Sequence, residues 1–185
     1  MPEATEPLIL TRGAAPPGNW DGTVLLMDKP GGWTSFDVIR RLRRLLGFKK
    51  IGHAGTLDPM ATGLLICLLG RPATRLQDRF MGLPKSYAGT LRLGETTPSY
   101  DADSEVSERR SAEHLTDDDL ERARRAFEGE LLQRPPMYSA VKVGGERLYK
   151  KARRGESVER EARPVSVYRL ALVERRGADV DFEVE

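Results

Sequence analysis

The residues most suited to chemistry stand together in Gly52-His53-Ala54-Gly55-Thr56-Leu57-Asp58-Pro59-Met60-Ala61-Thr62-Gly63. Gly52, Gly55 and Gly63 let the backbone turn sharply or approach a ligand closely. Pro59 fixes its own φ and pushes Asp58 out of the helical region, so the Asp58 carboxylate is carried on a stiff support. His53, Thr56 and Asp58 place three polar side chains within a few residues of one another. The stretch lies between basic residues and an apolar run, a suitable floor for a site. These residue types fit two readings, a simple Asp-Pro turn or a catalytic loop built around Asp58.

The elements that must position this loop are legible on either side of it. Thr23 to Met27 is a short apolar strand, stopped by Asp28-Lys29-Pro30-Gly31-Gly32. Thr34 or Ser35 caps a helix with Asp37 in its first turn and Gly47 as its stop. Phe36, Ile39, Leu42, Leu45 and Leu46 recur at helical spacing. Arg40, Arg41, Arg43 and Arg44 fill the remaining circumference, where a solvated face accounts for them. Lys49 to Gly63 reads as loop, and Leu64 to Leu69 as a buried element of either type. Tyr87, Gly89, Leu91 and Leu93 alternate with polar or small neighbours as in a half-buried strand. Thr116 opens a second helix through Leu120, Ala123 and Phe127 to Gly129. Val165 and Val167, then Val180, Phe182 and Val184, suggest two strands turning at Arg176-Gly177-Ala178. Strands with inserted helices and no βαβ rhythm indicate an α+β fold with a mixed or largely antiparallel sheet.

Composition narrows the class. The 185 residues suffice for one sizeable domain, and 39% hydrophobic with 31% charged residues excludes wholesale disorder. Residues 1–20, with five Pro or Gly between Pro2 and Gly18 besides Gly13, read as a flexible lead-in without secretory character. No apolar run reaches the roughly 20 residues of a bilayer crossing. The single cysteine, Cys67, precludes an internal disulfide, and a cytoplasmic address is expected. Net charge is only +2, but its distribution is uneven. Seven Lys/Arg against Asp37 lie between Lys29 and His53, and nine against four acids between Arg134 and Arg163. Ten acids crowd Glu95 to Glu121. Such a chain can present a basic face despite a near-neutral total. Within Gln133 to Arg163, Tyr138 and Tyr149 are mixed with Lys142, Arg147, Lys150, Lys151, Arg153 and Arg154, pairing stacking surfaces with phosphate-binding cations. A solvated basic helix is the plain alternative.

Five motifs in order resemble the TruB family of pseudouridine synthases. They are Asp28-Lys29-Pro30; the Gly52–Gly63 stretch; Lys85-Ser86-Tyr87 with Leu93-Gly94; Asp101-Ala102-Asp103; and Pro136-Met137-Tyr138-Ser139-Ala140-Val141-Lys142. The resemblance runs from about Gly22 to Glu185. It implies the pseudouridine synthase fold over 21–185, with 133–163 as an insertion that clasps RNA. It implies conversion of the uridine at position 55, in the TΨC loop of tRNA, with the base extracted from its stack into a pocket. Asp58 is then the catalytic carboxylate, attacking C1′ or taking the 2′ proton. Tyr87 stacks on the target base, and His53 meets the everted nucleotides. Thr56, Tyr138 and Lys142 complete the RNA-contacting set. Asp101 and Asp103 are structural or orient the loop. The isomerisation calls for no cofactor and no metal. The partner is the T arm of tRNA, with no membrane, and the protein acts as a monomer. Family members continue past the equivalent of Glu185 into a Lys-Gly-Thr-Tyr-Ile-Arg-type motif, so the 185 residues are expected to be a truncated or incomplete piece that is weakly active or inactive. A guide-RNA-dependent synthase of the dyskerin type and a non-catalytic T-arm-binding module are the competing readings.

Overall fold

A computed structural model describes residues 8–10, 13, 18–139 and 141–185. Contacts divide the chain into two compact units, the first 83 residues and Pro84–Glu185. The first unit contains β1 (Leu8–Leu10), β2 (Thr23–Lys29), α1 (Ser35–Leu46), β3 (Ile51–Ala54), β4 (Gly63–Leu69), α2 (Gly70–Thr74) and α3 (Gln77–Met81). Its sheet has the order β1-β2-β4-β3, with β1 parallel to β2 and the other pairs antiparallel. β1 falls within the segment read as a lead-in, most of whose other residues lie outside those described.

The apolar run of β4 is explained by burial on both faces. Leu65, Cys67 and Leu69 pack with Leu25, Val38, Ile39, Leu42 and Ile51 on the α1 side. Leu68 and Ile66 pack with Val24, Ala54, Ala73 and Phe80 on the other. Cys67 has no exposure, and burial pushes its thiol up to about 12. Helix α1 is stopped by Gly47 in the left-handed conformation (φ 60°). It buries Ser35, Val38, Ile39 and Leu42, a stripe at i, i+3, i+4 and i+7. Phe36 and Leu45, read from spacing as part of the apolar face, are 57% and 61% exposed. Phe36 sits off the stripe once Val38 is counted into it, and the Arg43 guanidinium covers its ring, 5.7 Å from its centroid; Leu45 lies at the edge of the stripe in the last turn. The segment read as loop from Lys49 contains β3, because Ile51–Ala54 pairs with the edge of β4. Gly52 and His53 hide that strand from a propensity reading.

The second unit contains β5 (Tyr87–Arg92), β6 (Glu95–Thr96), β7 (Glu108–Arg109), α4 (Asp117–Arg125), β8 (Gly129–Gln133), β9 (Lys142–Val143), β10 (Glu146–Arg147), α5 (Leu148–Arg153), β11 (Arg163–Val167), β12 (Leu170–Arg176) and β13 (Asp179–Val184). β12, β13 and β5 form an antiparallel sheet in that order. Gly89 stands opposite Phe182, whose ring occupies the space a side chain would need. The turn at Gly177 joins β12 to β13, while Val165 and Val167 belong to β11, which pairs with β8. The charged end of β12, Glu174-Arg175-Arg176, masks the strand that makes this hairpin. β5 is mostly exposed and not half-buried. Helix α4 opens on a Thr116–Asp119 capping box and ends before Phe127.

The architecture is α+β, with antiparallel pairing dominant. No helix among the described residues is long and apolar enough to cross a membrane.

Leu65→Ala is expected to lower the stability of the first unit by about 2–5 kcal/mol, the range for emptying a buried leucine site, read from urea unfolding. Cys67 is expected to resist alkylation at pH 8 in the native protein and to react at the free-thiol rate in denaturant. Fast labelling without denaturant contradicts its burial.

Candidate active site

The Asp58 loop leaves β3 at Ala54 and enters β4 at Gly63, at the sheet end where β2 finishes on Lys29. Left-handed glycines bound it, Gly55 at φ 95° and Gly63 at φ 108°. Within it, the Ala61 N–H donates to the Asp58 carbonyl at 3.1 Å, closing a turn with Pro59 at its second position.

Two buried polar side chains from outside the loop hold it. Lys29 has no exposure, and its Nζ donates to the carbonyls of Trp33 (2.7 Å), Pro30 (3.0 Å) and Pro59 (3.2 Å). Three donors meet three acceptors, so the buried group is satisfied. Ser35, 3% exposed, donates to the Leu57 carbonyl at 3.1 Å and accepts from the Leu57 N–H at 3.0 Å. The Gly32 N–H adds a backbone bond to the Pro59 carbonyl at 2.8 Å. Asp58 is thus flanked by two residues fixed to the β2–α1 connection. Asp58 itself is exposed.

Thr34 caps α1: its hydroxyl accepts from the Asp37 N–H at 3.1 Å, and the Asp37 carboxylate accepts from the Thr34 N–H at 2.9 Å. The Thr34 hydroxyl, assisted by Arg40, holds the Asp37 carboxyl below its ordinary range. Ser35, the other capping candidate, is spent on Leu57. Sequence reading missed its role and that of the Lys29 ammonium. The only available signal was a lysine and a serine flanking a Pro-Gly-Gly turn.

His53 and Thr56 share the segment with Asp58. His53 is half-buried; its Nδ1 donates to the Gly55 carbonyl, and its backbone carbonyl accepts from Gln77 Nε2 at 3.2 Å. Thr56 is exposed.

Tyr87, Tyr138 and Lys142 belong to the second unit. Tyr87 opens β5 opposite Val184 and is 50% exposed, so it does not serve as core filling. It lines a cleft of about 360 Å³ with Ser86, Ala88, Arg169, Glu183 and Glu185. Arg169, absent from the sequence-based set, is a cation beside that tyrosine. Its Nη2 stands 3.8 Å from Glu183. Tyr138 is 40% exposed, and the Lys142 strand position pairs with Arg147.

Asp101 and Asp103 organise their own turn. Asp101 Oδ1 accepts from the Ala102 N–H at 2.7 Å, and Asp103 Oδ1 accepts from Ser99 Oγ at 3.1 Å. In the basic segment, Arg154 bonds Glu146 and Glu156, each at 2.7 Å, holding both carboxyls below their ordinary range. Arg154 therefore braces residues 146–156.

Comparison with known proteins follows the same lines. The family model for the N-terminal domain of TruB family pseudouridylate synthases matches residues 43–185. The chain is 48% identical over 168 residues to tRNA pseudouridine synthase B of Paenarthrobacter aurescens, covering 88% of this chain and 54% of that protein. It is 47% identical over 156 residues to that of Thermobifida fusca (84% and 53%). It is 45% identical over 164 residues to that of Mycobacterium tuberculosis strain H37Rv (88% and 55%). The chain thus spans about half the length of these curated relatives. Among solved structures it resembles a chain of a Cbf5-Nop10-Gar1 complex, with TM-score 0.62 and 29% identity over 87% of this chain and 38% of that one. It also resembles a chain of an H/ACA RNP bound to a substrate RNA containing 2′-deoxyuridine, with TM-score 0.58 and 25% identity over 87% and 36%.

Ser35→Ala is expected to destabilise the first unit by about 1–3 kcal/mol through the lost buried hydrogen bonds and to speed amide hydrogen exchange at Leu57. Unchanged exchange at Leu57 shows that the hydroxyl does not hold the loop.

Proposed function

Because the chain belongs to the TruB family of pseudouridylate synthases, we propose that it isomerises uridine to pseudouridine in the TΨC loop of tRNA, with Asp58 as the catalytic carboxylate. The observation that carries this reading is the anchoring of the Asp58 turn on both sides, by Lys29 and Gly32 at Pro59 and by Ser35 at Leu57. A carboxylate that must meet one ribose atom gains from a fixed backbone, because reorganisation is avoided at the moment of reaction.

The reaction exchanges the C1′–N1 bond for a C1′–C5 bond within one nucleoside. No electrons are gained or lost, and no group comes from a donor. Asp58 breaks the glycosidic bond by attacking C1′ or by removing the 2′ proton. The freed uracil turns and C5 bonds to C1′, displacing the Asp58 oxygen from C1′ on the first route or with the proton returned to C2′ on the second; the C5 proton leaves to a base and N1 takes up a proton. Tyr87 stacks on the everted base and His53 receives neighbouring nucleotides, with Thr56, Tyr138 and Lys142 as further RNA contacts. The half-exposed Tyr87 ring and the exposed Tyr138 support these roles. The substrate is a folded tRNA, recognised by shape and phosphate contacts. The protein acts as a monomer in the cytoplasm. Identity of 45–48% to proteins named tRNA pseudouridine synthase B, against 29% to the chain of the Cbf5-Nop10-Gar1 complex, favours this reading over a guide-RNA-dependent one.

Asp58→Asn is expected to lower conversion by more than roughly a thousand-fold, the scale of removing a catalytic nucleophile, while leaving tRNA affinity intact. Chemical labelling of pseudouridine in an unmodified tRNA gives the readout. Conversion that survives the substitution removes Asp58 from the chemistry.

A further inference from the structure

The outer face of α1 carries a feature that the Asp58 chemistry does not use. Asp37, Arg40, Arg41 and Arg44 fall at i, i+3, i+4 and i+7, opposite the buried stripe of Ser35, Val38, Ile39 and Leu42. With Gly32 and Trp33 they line a surface cleft of about 570 Å³. Its electrostatics are one-sided. Asp37 is engaged by Thr34 and by Arg40, whose Nη2 lies 2.6 Å from the carboxylate. Arg41 and Arg44 are exposed and have no acidic partner among the described residues. The stripe therefore keeps two uncompensated guanidinium groups, which suit planar, bidentate contact with phosphate. Arg43 stands apart, its Nη2 donating to the Ile51 carbonyl at 2.9 Å. At the start of the cleft, Trp33 exposes 40% of its surface, an unusual position for so apolar a ring. Cations with an aromatic ring beside them match a nucleic-acid strand, whose phosphates and base faces need both.

The stripe is also fixed to the candidate catalytic turn. Trp33 gives its carbonyl to Lys29 Nζ, which also bonds Pro59; Gly32 bonds Pro59 directly; and Ser35 bonds Leu57. A strand seated on the helix is thereby held by the same piece of structure that presents Asp58.

We propose that Trp33, Arg41 and Arg44 form an RNA-backbone site on α1 that seats the strand flanking the target nucleotide. Arg41 and Arg44 grip phosphates, and Trp33 stacks on an unpaired base. This rests on the pseudouridine synthase reading and assigns that reaction a positioning surface outside the family motifs quoted above.

The test uses a hairpin RNA carrying the T arm, titrated with the unsubstituted chain and with R41Q/R44Q over a range of salt concentrations. Two lost phosphate contacts are expected to weaken binding at least tenfold at low salt. They are expected to reduce the slope of log K against log salt by roughly 1.4 to 1.8, from about 0.7 to 0.9 per contact. The charge-matched R109Q/R110Q variant in the second unit is expected to leave both unchanged. In a W20F variant, which keeps Trp33 as the one tryptophan, RNA is expected to quench emission. Equal affinity and slope for R41Q/R44Q and the unsubstituted chain overturn the site, as does equal loss in R109Q/R110Q; unquenched emission overturns the stacking role of Trp33. Pseudouridine formation on tRNA is scored separately. If conversion survives Asp58→Asn while R41Q/R44Q still loses affinity, the catalytic reading of Asp58 falls and the RNA site stands.

Discussion

An ammonium group removed from water must find an oxygen for each of its protons, and Lys29 finds three in the carbonyls of Pro30, Trp33 and Pro59. Those carbonyls belong to two loops that the chain separates by about thirty residues but the sheet brings to one end. Both Pro30 and Pro59 lack an N–H and cannot complete a strand ladder at their positions. The buried lysine thus adds donors to a junction at which the backbone supplies the bond from the Gly32 N–H to the Pro59 carbonyl. The Asp58 turn and the entrance to α1 depend on it.

Ser35 closes the same junction from the helix side. Its place in the first turn of α1 leaves its hydroxyl free for Leu57, because Thr34 has already taken the capping role. The two adjacent hydroxyl residues are not interchangeable: one opens the helix and the other ties it to the loop. The sheet beneath is equally specific. β4 is covered on both faces, so the loop that precedes it runs into a strand packed on either side. A carboxylate on such a support keeps its backbone position.

The charge distribution follows a comparable economy. Arg43 is folded onto Phe36 and Ile51, Arg40 is tied to Asp37, and Arg154 braces its own loop between Glu146 and Glu156. A basic sequence stretch therefore contains both structural and available cations, and only the latter contribute to a phosphate-binding surface.

The sequence by itself determined the strand before Lys29, the helix ending at Gly47, the glycine-bounded Asp-Pro turn and the family to which these motifs point. Each is set by local physics: alternation, capping, and the backbone freedom of glycine against the stiffness of proline. What only the tertiary structure decided is which residues serve those elements from a distance. Ile51–Ala54 became a strand because the edge of β4 was there to pair with it. Phe36 and Leu45 lost their assumed place in the core because Val38 and Ile39 define the face that meets the sheet. The strand after Tyr168 emerged from a charged stretch because β13 offered it a partner. The buried contacts of Lys29 and Ser35 span loops distant in sequence, and a hydrogen bond between such segments leaves no periodicity to read.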